Sequence, residues 1–146
     1  MTLPNKSDIR NFCLNHVDAM IAEYEGSILE LQKGMFEETK SSAGDKYETS
    51  RTQFQREIER LKTQISSVHT TKATLLILND APSVTASEGS LLLISLGTTR
   101  MMIYIGAALG NLKYQGQSIQ IISAQSPLAI ALKGKTQGSE ISFNQK

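Results

Sequence analysis

Two long heptad seams in the first half of the chain constrain its fold more than any other feature. The second seam alternates steps of four and three from Phe54 to Leu75, with Lys72 as its polar member. The first seam runs from Cys13 to Met35 at steps of three and four. A single strong break separates them, the small polar segment at 41–45. Because a short link forces the helices antiparallel, we predict a two-helix coiled-coil finger over residues 1–79, with its tip near 41–48.

The second half has the pattern of a small β domain. Asn79-Asp80-Ala81-Pro82-Ser83 ends the second helix, and short apolar runs separated by glycines follow. A short helix is expected after Ser126, a plausible N-cap, with Gly134 closing it. The predicted strands are Ser90–Leu96, Arg100–Ile105, Ser118–Ser123 and Glu140–Asn144, with a turn region over 106–110. We therefore predict an α+β chain, whose second domain (80–146) is a mostly antiparallel sheet with one short helix.

Composition excludes several function classes. The formal net charge of +1 gives no large field that would attract a polyanion or a membrane. The single cysteine, Cys13, excludes an internal disulfide, and its place on the seam favours a buried apolar role. His16 and His69 lack ligand-like neighbours, so we expect no zinc site. No apolar run is long enough for a signal peptide or a membrane span, which favours the cytoplasm.

No catalytic machinery can be assembled from this chain alone. The segment Gly134-Lys135-Thr136 looks like the end of a phosphate-binding loop, but the glycine required five residues earlier is Ala129. It also closes a helix where such a loop opens one. No arrangement of Ser, His and Asp or of Cys and His is convincing. We therefore do not expect a self-contained enzyme.

Asp45 and Glu48 are the main candidates for chemistry. They lie three residues apart at the start of a predicted helix, and thus on one face. Carboxylates there also favour the positive end of the helix dipole and can cap free N–H groups. Equally, two hard oxygen ligands suit Mg²⁺, which commonly takes one or two carboxylates. Spacing alone leaves both interpretations open, and the second needs further ligands from a partner.

Basic residues surround this acid pair. Lys46 and Arg51 are nearest to the tip and are candidates for contacts with RNA or with the partner's site. Arg56 and Arg60 share a helix face. For these two we favour ion pairs across the hairpin with acids such as Glu37 and Glu38 over nucleic-acid contacts.

Two segments together resemble the Gre family of bacterial transcript cleavage and elongation factors. The sequence at 43–48, Ala-Gly-Asp-Lys-Tyr-Glu, resembles the family's Gly-Asp-x-x-Glu tip. The sequence at 126–135, Ser-Pro-Leu-Ala-Ile-Ala-Leu-Lys-Gly-Lys, resembles its SP-x-x-x-AL-x-GK segment before the last strand. The second match is the more specific, and the resemblance covers nearly the whole chain.

The resemblance implies an FKBP-like C-terminal domain that docks on RNA polymerase, at the rim of its secondary channel. Ser126, Pro127, Leu128 and Ala131 would then lie near the docking surface. The finger would enter the channel, where Asp45 and Glu48 help to hold a Mg²⁺ shared with the polymerase. The polymerase would cleave its own backtracked RNA at the nascent 3′ end. No cofactor is expected on the chain alone, nor a specific DNA partner, nor a membrane.

Two alternatives remain open. Lys46 and Tyr47 replace the leucine and serine usual in the family's tip, which motivates a channel-binding regulator without cleavage activity. A plain coiled-coil adaptor, whose acids only cap a helix, is the third hypothesis. The seams permit a monomeric hairpin or an intermolecular bundle.

Overall fold

The chain forms three helices and four strands among the residues that its computed structural model describes, namely 3–41, 45–81 and 83–140, with backbone alone at 38–41 and 45–48. The elements are α1 (Lys6–Ser41), α2 (Asp45–Leu76), β1 (Leu91–Leu96), β2 (Thr99–Ile105), β3 (Gly110–Tyr114), β4 (Gln117–Ile122) and α3 (Pro127–Leu132). The α+β class is confirmed. Contacts divide the chain into two compact units, Asn15–Lys72 and Met1–Leu14 with Ala73–Lys146. The boundary predicted after residue 79 stays a prediction.

The first unit is an antiparallel helical hairpin. Lys72 Nζ lies 2.8 Å from Asp18 Oδ1, and a Cβ added at Gly34 would lie 3.3 Å from the Phe54 ring. Later residues of α1 thus meet earlier residues of α2, which defines the antiparallel direction. Every residue of both predicted seams is buried or half-buried, because a heptad spacing holds one face of each helix against the other. No helix among the described residues has an apolar stretch long enough to cross a bilayer.

The second unit contains a mixed four-stranded sheet in the order β1-β2-β4-β3. β1 pairs antiparallel with β2, and β3 pairs antiparallel with β4. The central pair is parallel, with Met102 opposite Ile119, so the sheet is mixed, and the predicted antiparallel pairing holds for two of its three strand pairs. The reason lies in β3, which the prediction lacked. It reverses the chain after the turn at 106–109, so that β4 returns in the direction of β2.

Successive side chains of β2 point to opposite faces of the sheet, and both faces are buried there. On one face Ile103, Ile105 and Ala129 of α3 form a cluster, against which Leu92 and Leu128 pack. Met102 and Tyr104 point to the opposite side and are also buried. There the first turns of α1 contribute, since the Phe12 and Tyr114 rings stack edge to face at 5.1 Å. The predicted strand Glu140–Asn144 lies outside the described residues apart from Glu140.

The two ends of the hairpin sequence meet in this second unit. Arg10, on α1, donates from Nη1 to the Leu78 carbonyl at 3.3 Å and pairs with Asp80 at 2.8 Å. Lys6 Nζ donates to the Ala81 carbonyl at 2.9 Å. The last turn of α2 has no basic residue of its own. The cations of α1 therefore supply the positive charge that a helix C-terminus favours.

Candidate functional site

The start of α2 lies close along the chain to the end of α1. α1 extends to Ser41 and α2 begins at Asp45, so only residues 42–44 link them. From Asp18, which pairs with Lys72, α1 continues for roughly 35 Å to its end at about 1.5 Å per residue. Asp45 and Glu48 therefore belong to the first helical turn of α2, at the end of the helical unit where α1 stops and α2 begins.

The structure defines the backbone positions of Asp45 and Glu48. Residues three apart on a helix share a side of it, so positions 45 and 48 fit a joint role in capping or in metal binding. The predictions for the side chains of Asp45, Lys46 and Glu48 lie outside the described residues. The start of a helix, with its free N–H groups, favours negative charge for either role.

Asp45 and Glu48 are chemically suited to Mg²⁺ but are too few to fill its coordination shell. Two carboxylates supply hard oxygen ligands, but an octahedral ion needs more of its shell filled by water or by other groups. Over the described residues, no group of three or more His, Cys, Asp or Glu side chains could hold a metal ion. That finding does not extend to the side chains of Asp45 and Glu48, and a Mg²⁺ shared with a partner stays a prediction.

The basic residues beyond the tip have different surroundings. Arg60 donates from Nε to Glu57 Oε2 at 3.1 Å, and a second nitrogen contacts the same carboxylate. This hydrogen bond, more than the charge itself, lowers the pKa of Glu57. The prediction that Arg60 pairs across the hairpin is wrong, because an acid three residues earlier on its own helix is closer. The Arg51 and Arg56 side chains are exposed.

The segment of the second resemblance forms α3 as predicted. Ser126 is its N-cap, since Ser126 Oγ accepts from the Ala129 N–H at 3.3 Å and donates to the Ser123 carbonyl at 2.8 Å. Pro127 stands at the start of the helix, where its missing N–H costs nothing. Gly134, with φ of 79°, closes the segment. The structure thus gives Ser126 a capping role beside any role in docking.

The four residues predicted to lie near the docking surface differ in solvent exposure. Pro127 is exposed, whereas Ser126, Leu128 and Ala131 are half-buried, and Leu128 packs on the sheet cluster. The residue that sequence reasoning missed is Ile130, which is 61% exposed. Its neighbours Ala129 and Leu132 are buried, three residues apart. Because these two residues face the sheet, residue 130 points away from it.

Cys13 shows no sign of reactivity. Its thiol is fully buried and free, and burial raises its pKa to about 12. Because the thiolate is the nucleophile, such a cysteine is inert at neutral pH. The prediction that it is a buried apolar residue is confirmed.

The Gly134-Lys135 segment uses its backbone for pairing within the fold. The Gly134 N–H donates to the Ala86 carbonyl at 2.8 Å, and the Lys135 N–H donates to the Leu132 carbonyl at 3.0 Å. A phosphate-binding loop needs such N–H groups to point at its ligand. The segment therefore connects the end of α3 to Ala86, which precedes β1.

The resemblance to the Gre family involves both regions, the acid pair at the start of α2 and the helix after Ser126. It is a likeness in the order of the residues alone. No protein-family model, no curated protein and no solved structure matches this chain.

Proposed function

We propose that this chain is an accessory factor that binds bacterial RNA polymerase in the cytoplasm and stimulates the polymerase to cleave backtracked RNA. The observation that carries the proposal is the position of the acid pair. α2 starts at Asp45, directly after a three-residue link at the end of a 36-residue helix. A hairpin of this kind can deliver two carboxylates deep into a partner's site, where a compact domain could not reach.

The second unit is proposed as the docking domain, with the FKBP-like fold that the resemblance implies. Support comes from the Ser126–Lys135 segment, which carries the resemblance and forms α3 with a serine cap and a closing glycine. It also presents Pro127 and Ile130 on its exposed side. A single exposed aliphatic side chain on a rigid helix suits the role of an anchor in a partner's pocket.

In this proposal each residue near the turn has a defined task. Asp45 and Glu48 contribute carboxylate oxygens to a Mg²⁺ that the polymerase also holds. When bound, that ion polarises the phosphate and lowers the pKa of a water at the scissile bond. Lys46 and Arg51 would hold the 3′ end of the RNA through its phosphates. The chain itself makes no covalent bond, so the hydrolysis belongs to the polymerase.

The test uses a polymerase complex stalled in a backtracked state, with RNA length followed over time after the full chain is added. We expect the RNA to shorten, and we expect Asp45→Asn and Glu48→Gln to slow this by at least roughly a hundredfold, as loss of a positioned catalytic group does. Glu59→Gln is the matched control, because Glu59 is an exposed acid on the same helix with only a 3.9 Å contact to Lys62.

Binding and stability are measured on the same variants. Intact binding without any shortening by the wild-type chain would contradict cleavage and favour the regulator without cleavage activity. Absence of binding would leave the coiled-coil adaptor. If Asp45→Ala and Glu48→Ala lower the free energy of unfolding by about 1–2 kcal/mol while Asp45→Asn and Glu48→Gln do not, the two acids act as helix caps.

A further inference from the structure

α1 carries a second heptad stripe on its outer face, apart from the seam that packs on α2. Its positions alternate steps of three and four, and all of them are exposed. Leu29 is 65% exposed and Phe36 is 59% exposed. The outer stripe, as we name it, consists of Ala19, Ala22, Gly26, Leu29, Lys33 and Phe36. Lys33 is its one charged member. The other five are apolar or small, and a regular series of such residues along a helix is typical of an interaction face.

Gly26 supports this interpretation. Glycine is a poor helix former, and its φ here is not in the left-handed region that favours it. A Cβ added at Gly26 would meet no atom within 4 Å. Nothing in the described residues therefore requires a glycine at this point. Close approach of another backbone is the remaining use of a glycine inside a helix. Ala22, one turn earlier, has only a methyl side chain, so it too leaves room for a neighbouring helix.

The flanks of the outer stripe carry one sign of charge. The residues beside it are Glu23, Glu30 and Glu37 on one side, and Asp18, Glu25 and Gln32 on the other. Asp18 is paired with Lys72. Glu23, Glu25 and Glu30 make no ion pair with the described residues. Positions flanking an apolar heptad stripe set the choice of partner helix.

A cleft lies along one of these flanks. It is shallow and wide open to solvent, and its lining includes Glu23, Gly26 and Glu30 of α1 and Leu61 of α2. The one cation on its wall, Arg60, is bound to Glu57. The cleft therefore combines an apolar floor with carboxylates at its edge. Long basic side chains fit such a surface, because their stems pack on apolar atoms while their charged ends reach the acids.

We propose that the outer stripe binds one α-helix of a protein partner, an amphipathic helix whose apolar stripe is flanked by Lys and Arg. A second copy's α1 would bring acid against acid, which disfavours self-association through this face. An anionic membrane is disfavoured for the same reason. The inference does not rest on the proposed function, since none of these residues belongs to the acid pair at the start of α2.

The experiment titrates two synthetic peptides into the full chain, by calorimetry at about 0.1 M salt. Both peptides have about four heptads with Leu and Ala on one stripe. One carries Lys and Arg on the flanks, and the other carries Glu. We expect only the basic peptide to bind. Leu29→Gln should weaken its binding about tenfold, the effect of losing part of one buried leucine.

Two further variants separate the proposal from simpler explanations. Gly26→Leu adds apolar surface and helix propensity, so general hydrophobic attraction would strengthen binding, whereas close helix packing predicts at least about tenfold weakening. Glu23→Lys with Glu30→Lys should reverse the preference towards the acidic peptide. Glu59→Lys with Glu88→Lys, at two exposed acids outside the stripe, makes the same change in net charge and is the matched control, which should change affinity less than about twofold.

Three results would overturn the proposal. The first is the absence of binding by the basic peptide. The second is equal weakening by the Glu59→Lys, Glu88→Lys pair and by the Glu23→Lys, Glu30→Lys pair, which would indicate charge attraction without a site. The third is self-association of the wild-type chain that Leu29→Gln abolishes, because the stripe would then bind a second copy.

Discussion

Tyr104 buries a phenol in the middle of the sheet. Its side chain is fully buried, and its hydroxyl has no hydrogen-bond partner among the described residues. An unsatisfied buried polar group costs about 1–3 kcal/mol. Tyr104→Phe keeps the ring and removes the hydroxyl, so we expect the free energy of unfolding in urea to rise by about 1 kcal/mol. A fall of that size would show that the hydroxyl has a partner and stabilises the fold.

Alkaline pH should destabilise the second unit through the same residue and Cys13. Burial raises the pKa of Cys13 from 9.0 to about 12 and that of Tyr104 from 10.0 to about 12. Both groups are neutral when protonated, and folding favours that form. The resulting stability is complete below pH 9 and is lost as the pH rises towards 12.

Urea unfolding at intervals from pH 8 to pH 11 measures this loss. Stability should fall by up to about 1.4 kcal/mol per pH unit for each group that is ionised in the unfolded state alone. Tyr104→Phe should make the fall above pH 10 less steep, since it removes one of the two groups. An equal slope in the variant would assign the alkaline loss to other residues.

Two glycines in α1 test how tightly the side chains of the hairpin pack around them. A Cβ at Gly26 would enter open space, whereas a Cβ at Gly34 would lie 3.3 Å from Phe54 Cε1. Alanine is favoured over glycine inside a helix by about 0.5–1 kcal/mol. We expect Gly26→Ala to raise the free energy of unfolding by this amount and Gly34→Ala to raise it by less. Equal gains would mean that the Phe54 ring moves aside without cost.

The elements that sequence predicted are those with a strong local pattern. The hairpin follows from two heptad seams, and α3 follows from a cap, a proline and a closing glycine at Ser126, Pro127 and Gly134. β1, β2 and β4 were predicted to within about a residue or two at their ends, as apolar runs allow. β3 was missed because Gly110–Tyr114 contains only one aliphatic residue, Leu112. The parallel pairing of β2 with β4 depends on that missing strand, and no local pattern encodes it.

The candidate sites divide in the same way. The acid pair was found because a helix start makes Asp45 and Glu48 stand out in sequence, and its role stays a prediction. Arg60 was assigned the wrong partner, because spacing alone could not rank Glu57 against acids on the other helix. Ile130 was not predicted because the cap, the proline and the closing glycine define the helix without defining which of its sides meets the sheet. Burial at Ala129 and Leu132 is what identifies it.

At the scale of the whole molecule, the proposed activity depends on two surfaces in different units of the chain. The acid pair belongs to the helical unit, and α3 belongs to the unit with the sheet. If the first surface acts on the reaction and the second only holds the polymerase, their variants should change different kinetic quantities. Loss of a group that acts in the transition state lowers the maximal rate, whereas loss of a binding contact raises the concentration required.

Ile130→Gln tests the second surface. The exposed side chain of Ile130 makes little contact with its own fold, so the melting temperature should stay within about 2 °C of the wild type. In the cleavage assay, the concentration for half-maximal rate should rise about tenfold, as expected for an apolar anchor, while the maximal rate stays unchanged. Leu96→Gln is the matched control, because Leu96 is 42% exposed on β1. Asp45→Asn should show the opposite pattern, with a reduced maximal rate at an unchanged half-maximal concentration. If Ile130→Gln lowers the maximal rate and leaves that concentration unchanged, α3 does not serve as the docking surface.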